Sequence, residues 1–241
     1  MLINVWSTPR TGSIHYSYVL RDEYNAHLIN EFFNRYHMSI YFTTPNGVQL
    51  NHTEYVSGSF YHEYFVDDGK LSQRKIYGKR LKSIKEEEEY RLGLINLLDF
   101  NTQNIVMHNH VAPIDQNVYT KLKETANKNV YTYRKDKRAQ LGSYAIAFST
   151  KQFILFKEEY KHKSKVADID RVHLENLIKR IKIYDSLEKT DEIAYEDMEF
   201  KSSQYYPIKQ VNNYIELLSD NMLNIIDQLA SEYENNKVDN K

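Results

Sequence analysis

The sequence predicts an α/β fold in which a parallel sheet is flanked by helices. Short, largely apolar strand candidates alternate with longer segments whose apolar residues recur near the helical period. Such alternation is typical of βαβ units, in which a helix joins two parallel strands. The length of 241 residues suits one large domain, so we expect a single domain over residues 1–235 and a polar tail over 236–241.

The elements follow in order along the chain. Strands are predicted over residues 2–6, 104–108, 129–133 and 192–195. Helices are predicted over residues 14–35, 79–100, 115–126, 137–156, 166–188 and 214–233. Residues 36–65 are rich in Tyr, Phe, Val and Thr and are broken at Pro45-Asn46-Gly47, which indicates short strands or a hairpin.

Composition excludes several classes of protein. Lys and Arg total 32 against 33 Asp and Glu, and this balance argues against general nucleic-acid binding, which needs a basic excess. The absence of cysteine excludes disulfides, thiolate metal sites and cysteine nucleophiles. The longest apolar run is five residues, at 144–148, and no basic segment precedes the first strand. We therefore expect a cytoplasmic protein without a membrane segment. The 21 tyrosines fit an A/T-rich genome such as that of a bacteriophage.

A loop of small residues follows the first strand. Pro9-Arg10-Thr11-Gly12-Ser13 supplies a rigid turn, a cation, two hydroxyls and a glycine just before a predicted helix. Free N–H groups and the dipole at a helix N-terminus bind anions, so the loop is a candidate phosphate site. A plain strand–turn–helix connection with a surface arginine is the alternative. The Walker A pattern is absent, because Gly-Lys at 69–70 and 78–79 is followed by Leu and Arg.

A second basic segment follows the strand predicted over 129–133. Arg134 stands at the strand end, and Ser143 lies nine residues later in the next predicted helix. A guanidinium fork and a hydroxyl donor in these positions can converge on one anion. The alternative is a solvated basic start of a helix.

Three segments in this order resemble the P-loop sulfotransferases, which use 3′-phosphoadenosine 5′-phosphosulfate (PAPS). Residues 9–13 match the family's P-[KR]-[ST]-G-[ST], residues 134–143 match R-[RK]-D-K-x-x-Q-x-x-S, and Tyr195-Glu196-Asp197-Met198 matches its Tyr-Glu-Asp-Leu-like element. The resemblance implies a sulfotransferase-like fold with PAPS as cofactor. The residues it implies for PAPS are Pro9, Arg10, Thr11, Gly12, Ser13, Ile14 and His15, with Arg134 and Ser143 for the 3′-phosphate and Lys209 in a late basic loop.

The resemblance also indicates a catalytic base. His108-Asn109-His110 follows the strand predicted to end near residue 107, where cytosolic family members carry Lys-x-His with the His as base. It implies that His110 is the base, with His108 at the lysine position and Arg10 near the departing phosphate. A neutral His108 is a poorer anion partner than lysine. A structural histidine pair and a zinc pair are the alternatives, although no third ligand follows at a telling spacing, and we predict no metal.

The predicted function is transfer of a sulfuryl group from PAPS to a hydroxyl or amine of a small-molecule or glycan acceptor. By analogy with the family, region 36–90 is the expected acceptor-side insertion. One alternative is a P-loop phosphotransferase, such as a nucleotide or modified-base kinase, which would share the anion loop but use a nucleoside triphosphate and Mg²⁺. A second alternative is a degenerate P-loop domain that serves as an interaction module. The sequence does not predict an oligomeric state.

Overall fold

The structure is a computed structural model that describes residues 1–29, 40–43, 49–52, 60–67, 70–77, 104–111, 116–150, 166–200 and 214–238. The chain divides into two compact units. The first contains Met1–Ser7, Tyr16–Tyr131 and Lys189–Asp191, and the second contains Thr8–His15, Thr132–Glu188 and Glu192–Lys241. Each unit is assembled from segments that are distant in sequence. The single domain expected over residues 1–235 stays a prediction.

The regular elements alternate much as the sequence predicts. The strands are β1 (Leu2–Ser7), β2 (His27–Ile29), β3 (Ile40–Thr43), β4 (Gln49–His52), β5 (Phe60–Asp67), β6 (Lys70–Tyr77), β7 (Ile105–His110), β8 (Lys128–Tyr133) and β9 (Glu192–Ala194). The helices are α1 (Ser13–Glu23), α2 (Gln116–Thr125), α3 (Lys137–Thr150), α4 (Arg171–Asp185), α5 (Tyr214–Leu217) and α6 (Asp220–Val238), and a 3₁₀ turn spans Tyr195–Asp197.

Within the described ranges, one sheet has the strand order β4-β3-β2-β7-β1-β8-β9. Five of these strands, β2, β7, β1, β8 and β9, are parallel and are flanked by helices. The predicted α/β class with a parallel sheet is therefore confirmed, and the architecture is consistent with a P-loop-like fold. β3 and β4 pair antiparallel on either side of Pro45-Asn46-Gly47, which confirms the predicted hairpin. β5 and β6 form a separate antiparallel pair.

The core of the first unit is built around β1, which is buried along its whole length. A parallel strand that is covered on both faces has mostly apolar side chains on both, and this explains the largely apolar strand predicted from the sequence. β1 pairs with β7 in a register that places Leu2 opposite Ile105 and Ser7 opposite His110. The indole N–H of Trp6 donates to Asn129 Oδ1 at 2.9 Å, and its ring lies 4.8 Å from the ring of Tyr119.

The core of the second unit is a helical cluster formed by α3, α4, α5 and α6. On α4, Leu174, Leu177, Ile178 and Ile181 follow the i, i+3, i+4, i+7 spacing and are all buried. The Asp170 carboxylate accepts a hydrogen bond from the N–H of Val172 at 3.0 Å, so α4 begins at residue 171 rather than at the predicted 166.

The first helix is shorter than predicted. The sequence predicts a helix over residues 14–35, but α1 ends at Glu23 and β2 begins at His27. Asn25 has a φ of 46°, and the N–H of Ala26 donates to the carbonyl of Arg21 at 2.7 Å. This left-handed C-terminal cap stops the helix, so the prediction is wrong over residues 24–29, and residues 30–35 lie outside the described ranges.

Several other boundaries also differ from the predictions. β7 continues through His110 instead of ending near residue 107, and Tyr195 starts a 3₁₀ turn instead of ending a strand. The helix predicted over 214–233 is divided into α5 and α6, because Ser219 Oγ accepts from the N–H of Met222 at 3.1 Å and caps a new helix. The helix predicted over 137–156 is confirmed to residue 150, and the one over 79–100 lies outside the described residues. Among the helices that the structure describes, none is both long and apolar enough to cross a bilayer.

Candidate functional site

The loop between β1 and α1 has an unusual backbone. Arg10 and Gly12 have φ values of 70° and 71°. For a residue with a Cβ atom, the left-handed conformation costs about 1–2 kcal/mol. A Cβ on Gly12 would lie 2.8 Å from Tyr195 Cδ2 and 3.0 Å from Met198 Sδ, so only glycine fits there. Strain of the kind found at Arg10 persists where surrounding contacts enforce it, and it clusters at ligand sites.

Helix α3 supplies the contacts that hold the loop. Gln140 Nε2 donates to Thr8 Oγ1 at 2.9 Å and to the carbonyl of Pro9 at 2.8 Å. Arg10 Nε donates to Ser143 Oγ at 3.0 Å, although the two residues are 133 positions apart. Thr11 Oγ1 donates to the carbonyl of Thr8 at 3.0 Å. The loop and α3 are thus joined through both backbone and side chains.

Arg134 directly follows β8 and is buried. Its Cζ atom lies 4.4 Å from the centre of the Tyr195 ring, and its Nε lies 3.9 Å from Glu196 Oε1. Among the residues that the structure describes, that buried Nε has no hydrogen-bond partner. The carbonyl of Arg134 accepts from Lys137 Nζ at 2.6 Å. A buried guanidinium with an unused donor is suited to bind an anion.

The 3₁₀ turn is tied to the start of α3. The Glu196 carboxylate accepts from the backbone N–H groups of Lys135 at 3.0 Å and Asp136 at 3.2 Å, and Lys135 Nζ donates to Asp197 at 2.8 Å. Partial burial acts to raise the pKa of Glu196, but the backbone hydrogen bonds and then the charge of Arg134 outweigh it and lower the pKa. Glu196 therefore stays ionised beside Arg134.

The electrostatics of the second unit favour a bound anion. Burial, and next the positive charge of Arg134, lower the pKa of Arg10 to about 10. The shift means that the two guanidinium groups repel each other in a weakly solvated environment. Glu196 is one counter-charge to two arginines, so these three side chains carry a net charge of +1. An anionic ligand would remove this imbalance.

The remaining residues predicted for PAPS are placed as follows. Ser13 is buried and is the first residue of α1, and Ile14 continues the helix. The buried ring of His15 lies 4.6 Å from the ring of Phe200. Lys209 lies outside the described residues, so its assignment to the nucleotide stays a prediction.

The two histidines lie in the first unit and share one face of β7. His108 is opposite Val5 and His110 is opposite Ser7. Ser7 Oγ lies 3.1 Å from His108 Nε2 and 2.9 Å from His110 Nδ1, and the ring centres are 4.9 Å apart. His108 is fully buried, whereas His110 is partly exposed. The pair therefore forms a cluster with a buried hydroxyl, and this cluster was not predicted.

Sequence reasoning missed the roles of three polar residues. Ser7 contacts both histidines, and Gln140 holds the loop. Asn109 is fully buried on the other face of β7, and neither atom of its amide has a hydrogen-bond partner in the described part of the chain. Nothing in the sequence indicated that Asn109 is buried, since it stands between two histidines and such polar residues are mostly exposed. The contacts of Ser7 and Gln140 depend on tertiary structure.

In the ranges that the structure covers, no three His, Asp or Glu side chains are grouped so that they could hold a metal ion. No protein-family model matches the chain, and neither a curated protein nor a solved structure matches it. The resemblance to P-loop sulfotransferases therefore depends on the three sequence motifs, and the geometry of the two units is the basis for any functional proposal.

Proposed function

We propose that the protein is a PAPS-dependent sulfotransferase that transfers a sulfuryl group to a hydroxyl or amine of a small-molecule or glycan acceptor. The 3.0 Å hydrogen bond from Arg10 Nε to Ser143 Oγ carries this proposal. It joins the two segments that the resemblance assigns to the 5′-phosphosulfate and the 3′-phosphate. A nucleotide with phosphates at both the 3′ and 5′ positions needs two anion-binding segments that lie close enough to contact both phosphates at once. The hydrogen bond between Arg10 and Ser143 supports such closeness.

The charge distribution supports the same ligand class. Burial, and next the charge of Arg134, lower the pKa of Arg10, and Glu196 supplies one counter-charge beside Arg134. A charge-assisted hydrogen bond contributes about 1.5–3 kcal/mol, so two arginines favour a ligand with two anionic groups over a ligand with one. The buried Nε of Arg134, which has no hydrogen-bond partner among the described residues, supports a phosphate oxygen as its acceptor.

In this proposal the chain's own residues have separate roles. The loop over residues 9–13 and the N-terminus of α1 hold the 5′ end of PAPS, and Arg134 with Ser143 holds the 3′-phosphate. PAPS supplies the activated sulfuryl group when it is bound. Arg10 offsets the negative charge that develops on the leaving phosphate. His110 accepts the proton of the acceptor hydroxyl, as the resemblance implies, and His108 occupies the family's lysine position.

Isothermal titration calorimetry on the full chain tests the proposal. We expect 3′-phosphoadenosine 5′-phosphate, the product nucleotide, to bind at least tenfold more tightly than ATP with Mg²⁺. Arg134→Ala should weaken this binding by about 10- to 150-fold, which corresponds to one charge-assisted contact. Arg138→Ala is the matched control, because Arg138 lies in the same basic segment but is exposed and paired with Asp227 at 2.5 Å.

Two outcomes would contradict the proposal. Tighter binding of ATP with Mg²⁺ would favour the phosphotransferase alternative. Binding of neither nucleotide would favour the interaction module.

A further inference from the structure

Ser7 is the last residue of β1 and is fully buried. Its Oγ atom contacts three groups on β7: His108 Nε2 at 3.1 Å, His110 Nδ1 at 2.9 Å and the carbonyl oxygen of Asn109 at 3.1 Å. All three contacts follow from the register that places Ser7 opposite His110. One hydroxyl therefore connects both imidazoles to the backbone of the same strand.

A count of protons restricts how these contacts can be made. A hydroxyl has one proton to donate and two lone pairs that accept, whereas a carbonyl oxygen can only accept. If the Ser7 proton pointed to a ring nitrogen, two oxygen atoms would face each other at 3.1 Å without a proton between them. If the proton points to the Asn109 carbonyl, both lone pairs are available to the imidazoles. This is the one arrangement in which all three contacts are hydrogen bonds.

We infer that Ser7 is a positioning residue that fixes the tautomers of both histidines. Each ring donates a proton to Ser7 Oγ, so neutral His110 is protonated at Nδ1 and has its lone pair on Nε2. His108 contacts the same oxygen through its other nitrogen, so it is protonated at Nε2 and has its lone pair on Nδ1. One hydroxyl thus makes two adjacent imidazoles inequivalent.

The catalytic meaning of this inference rests on the proposed function. A general base needs a lone pair on a nitrogen that the acceptor can reach. His110 is partly exposed and His108 is fully buried, so His110 is the histidine of the pair that an acceptor can approach. Ser7 then acts through His110 and itself touches neither donor nor acceptor.

The tautomers are measured directly by long-range ¹H–¹⁵N correlation spectra of the imidazole rings in ¹⁵N-histidine-labelled protein. His108→Asn and His110→Asn variants assign the two signals among the nine histidines. We expect Nδ1-protonated His110 and Nε2-protonated His108 in the parent protein. In Ser7→Ala, the His110 signal should move toward a mixture of both tautomers. Ser17→Ala is the matched control, because Ser17 is equally buried and lies in α1, outside the histidine cluster.

Turnover is measured as release of 3′-phosphoadenosine 5′-phosphate from PAPS. General base catalysis contributes about 10²–10⁴-fold to the rate, and a base in the wrong tautomer loses much of that contribution. Ser7→Ala should therefore lower kcat at least tenfold, with little change in KM for PAPS. Ser7→Thr, which keeps the hydroxyl, should recover both the His110 tautomer and kcat. Nε2-protonated His110 in the parent, or an unchanged spectrum in Ser7→Ala, would overturn the inference whatever the activity. If the spectra show the expected tautomers but the protein releases no nucleotide from PAPS, the positioning role of Ser7 is supported and the proposed function is contradicted.

Discussion

Replacement of Gly12 by alanine should destabilise the second unit. The new Cβ would lie 2.8 Å from Tyr195 Cδ2 and 3.0 Å from Met198 Sδ, so the tyrosine ring must move. Overpacking of this kind costs about 1–3 kcal/mol. The left-handed backbone adds about 1–2 kcal/mol once a Cβ is present. The sum is about 2–5 kcal/mol, which lowers the Tm of a chain of this length by roughly 5–15 °C.

The same change should weaken nucleotide binding, because the Tyr195 ring stacks on Arg134 at 4.4 Å. Differential scanning calorimetry with and without 3′-phosphoadenosine 5′-phosphate measures both effects. In a Tyr195→Ala background the clash with the ring is gone and the 3.0 Å approach to Met198 Sδ remains. The penalty of Gly12→Ala should therefore fall toward the backbone part, about 1–2 kcal/mol. A Gly12→Ala variant that melts at the same temperature as the parent would contradict this explanation. An equal loss of stability from Gly12→Ala in the Tyr195→Ala background and in the parent would also contradict it.

Three further substitutions, with Asn129→Leu as a control for one of them, test separate parts of the proposal. Arg10→Ala should lower the affinity for 3′-phosphoadenosine 5′-phosphate by about 10- to 150-fold in calorimetry, because one charge-assisted contact is lost. His110→Ala should lower the turnover of PAPS by roughly 10²–10⁴-fold and leave nucleotide affinity near that of the parent. Asn109→Leu should raise the free energy of unfolding in urea by about 1–3 kcal/mol, since it removes a buried amide for which the described ranges contain no hydrogen-bond partner. Asn129→Leu should lower the free energy of unfolding, since the Asn129 side chain accepts a hydrogen bond from the Trp6 indole.

Each of these expectations has a contradicting result. Parent-like nucleotide affinity in Arg10→Ala would mean that the loop does not bind the nucleotide. Parent-like turnover in His110→Ala would remove this residue as the base, and an equal loss of nucleotide affinity would assign it to the nucleotide site. An Asn109→Leu variant less stable than Asn129→Leu would mean that the Asn109 amide has a stabilising partner.

Much of the parallel sheet could be predicted from the sequence because its strands are buried on both faces. β1, β7 and β8 each contain a short, buried apolar stretch next to turn-forming or polar residues, and such stretches are visible in the sequence without any partner. β2 has only three residues and follows α1 closely along the chain. It is too short to show the alternation of apolar and polar residues that predicts a strand. It exists because it pairs with β7, and that pairing is a tertiary contact. Asn25 lies between α1 and β2 in the left-handed conformation. Because asparagine is one of the residues that end helices in this conformation, its presence was a local signal for the end of α1.

The features of the candidate site likewise fall into local motifs, which the sequence predicts, and tertiary contacts, which it does not. The loop over residues 9–13 and the segment from Arg134 to Ser143 were found because each motif is local. The hydrogen bond between Arg10 and Ser143 could not be deduced, because it depends on how α3 packs on the loop. His110 was expected beyond the end of the strand predicted over 104–108, but both histidines lie within β7, where the register with β1 brings Ser7 against both rings. Register depends on pairing between distant segments, so no local pattern contains it.

The central claim is that the second unit binds a nucleotide with a 3′-phosphate. The most direct measurement is the calorimetric affinity ratio between 3′-phosphoadenosine 5′-phosphate and adenosine 5′-phosphate, in the parent and in Arg134→Gln. We expect a ratio of about 10–150 in the parent, which corresponds to one charge-assisted phosphate contact, and a ratio close to one in the variant. A ratio close to one in the parent would contradict the sulfotransferase proposal and favour the phosphotransferase alternative.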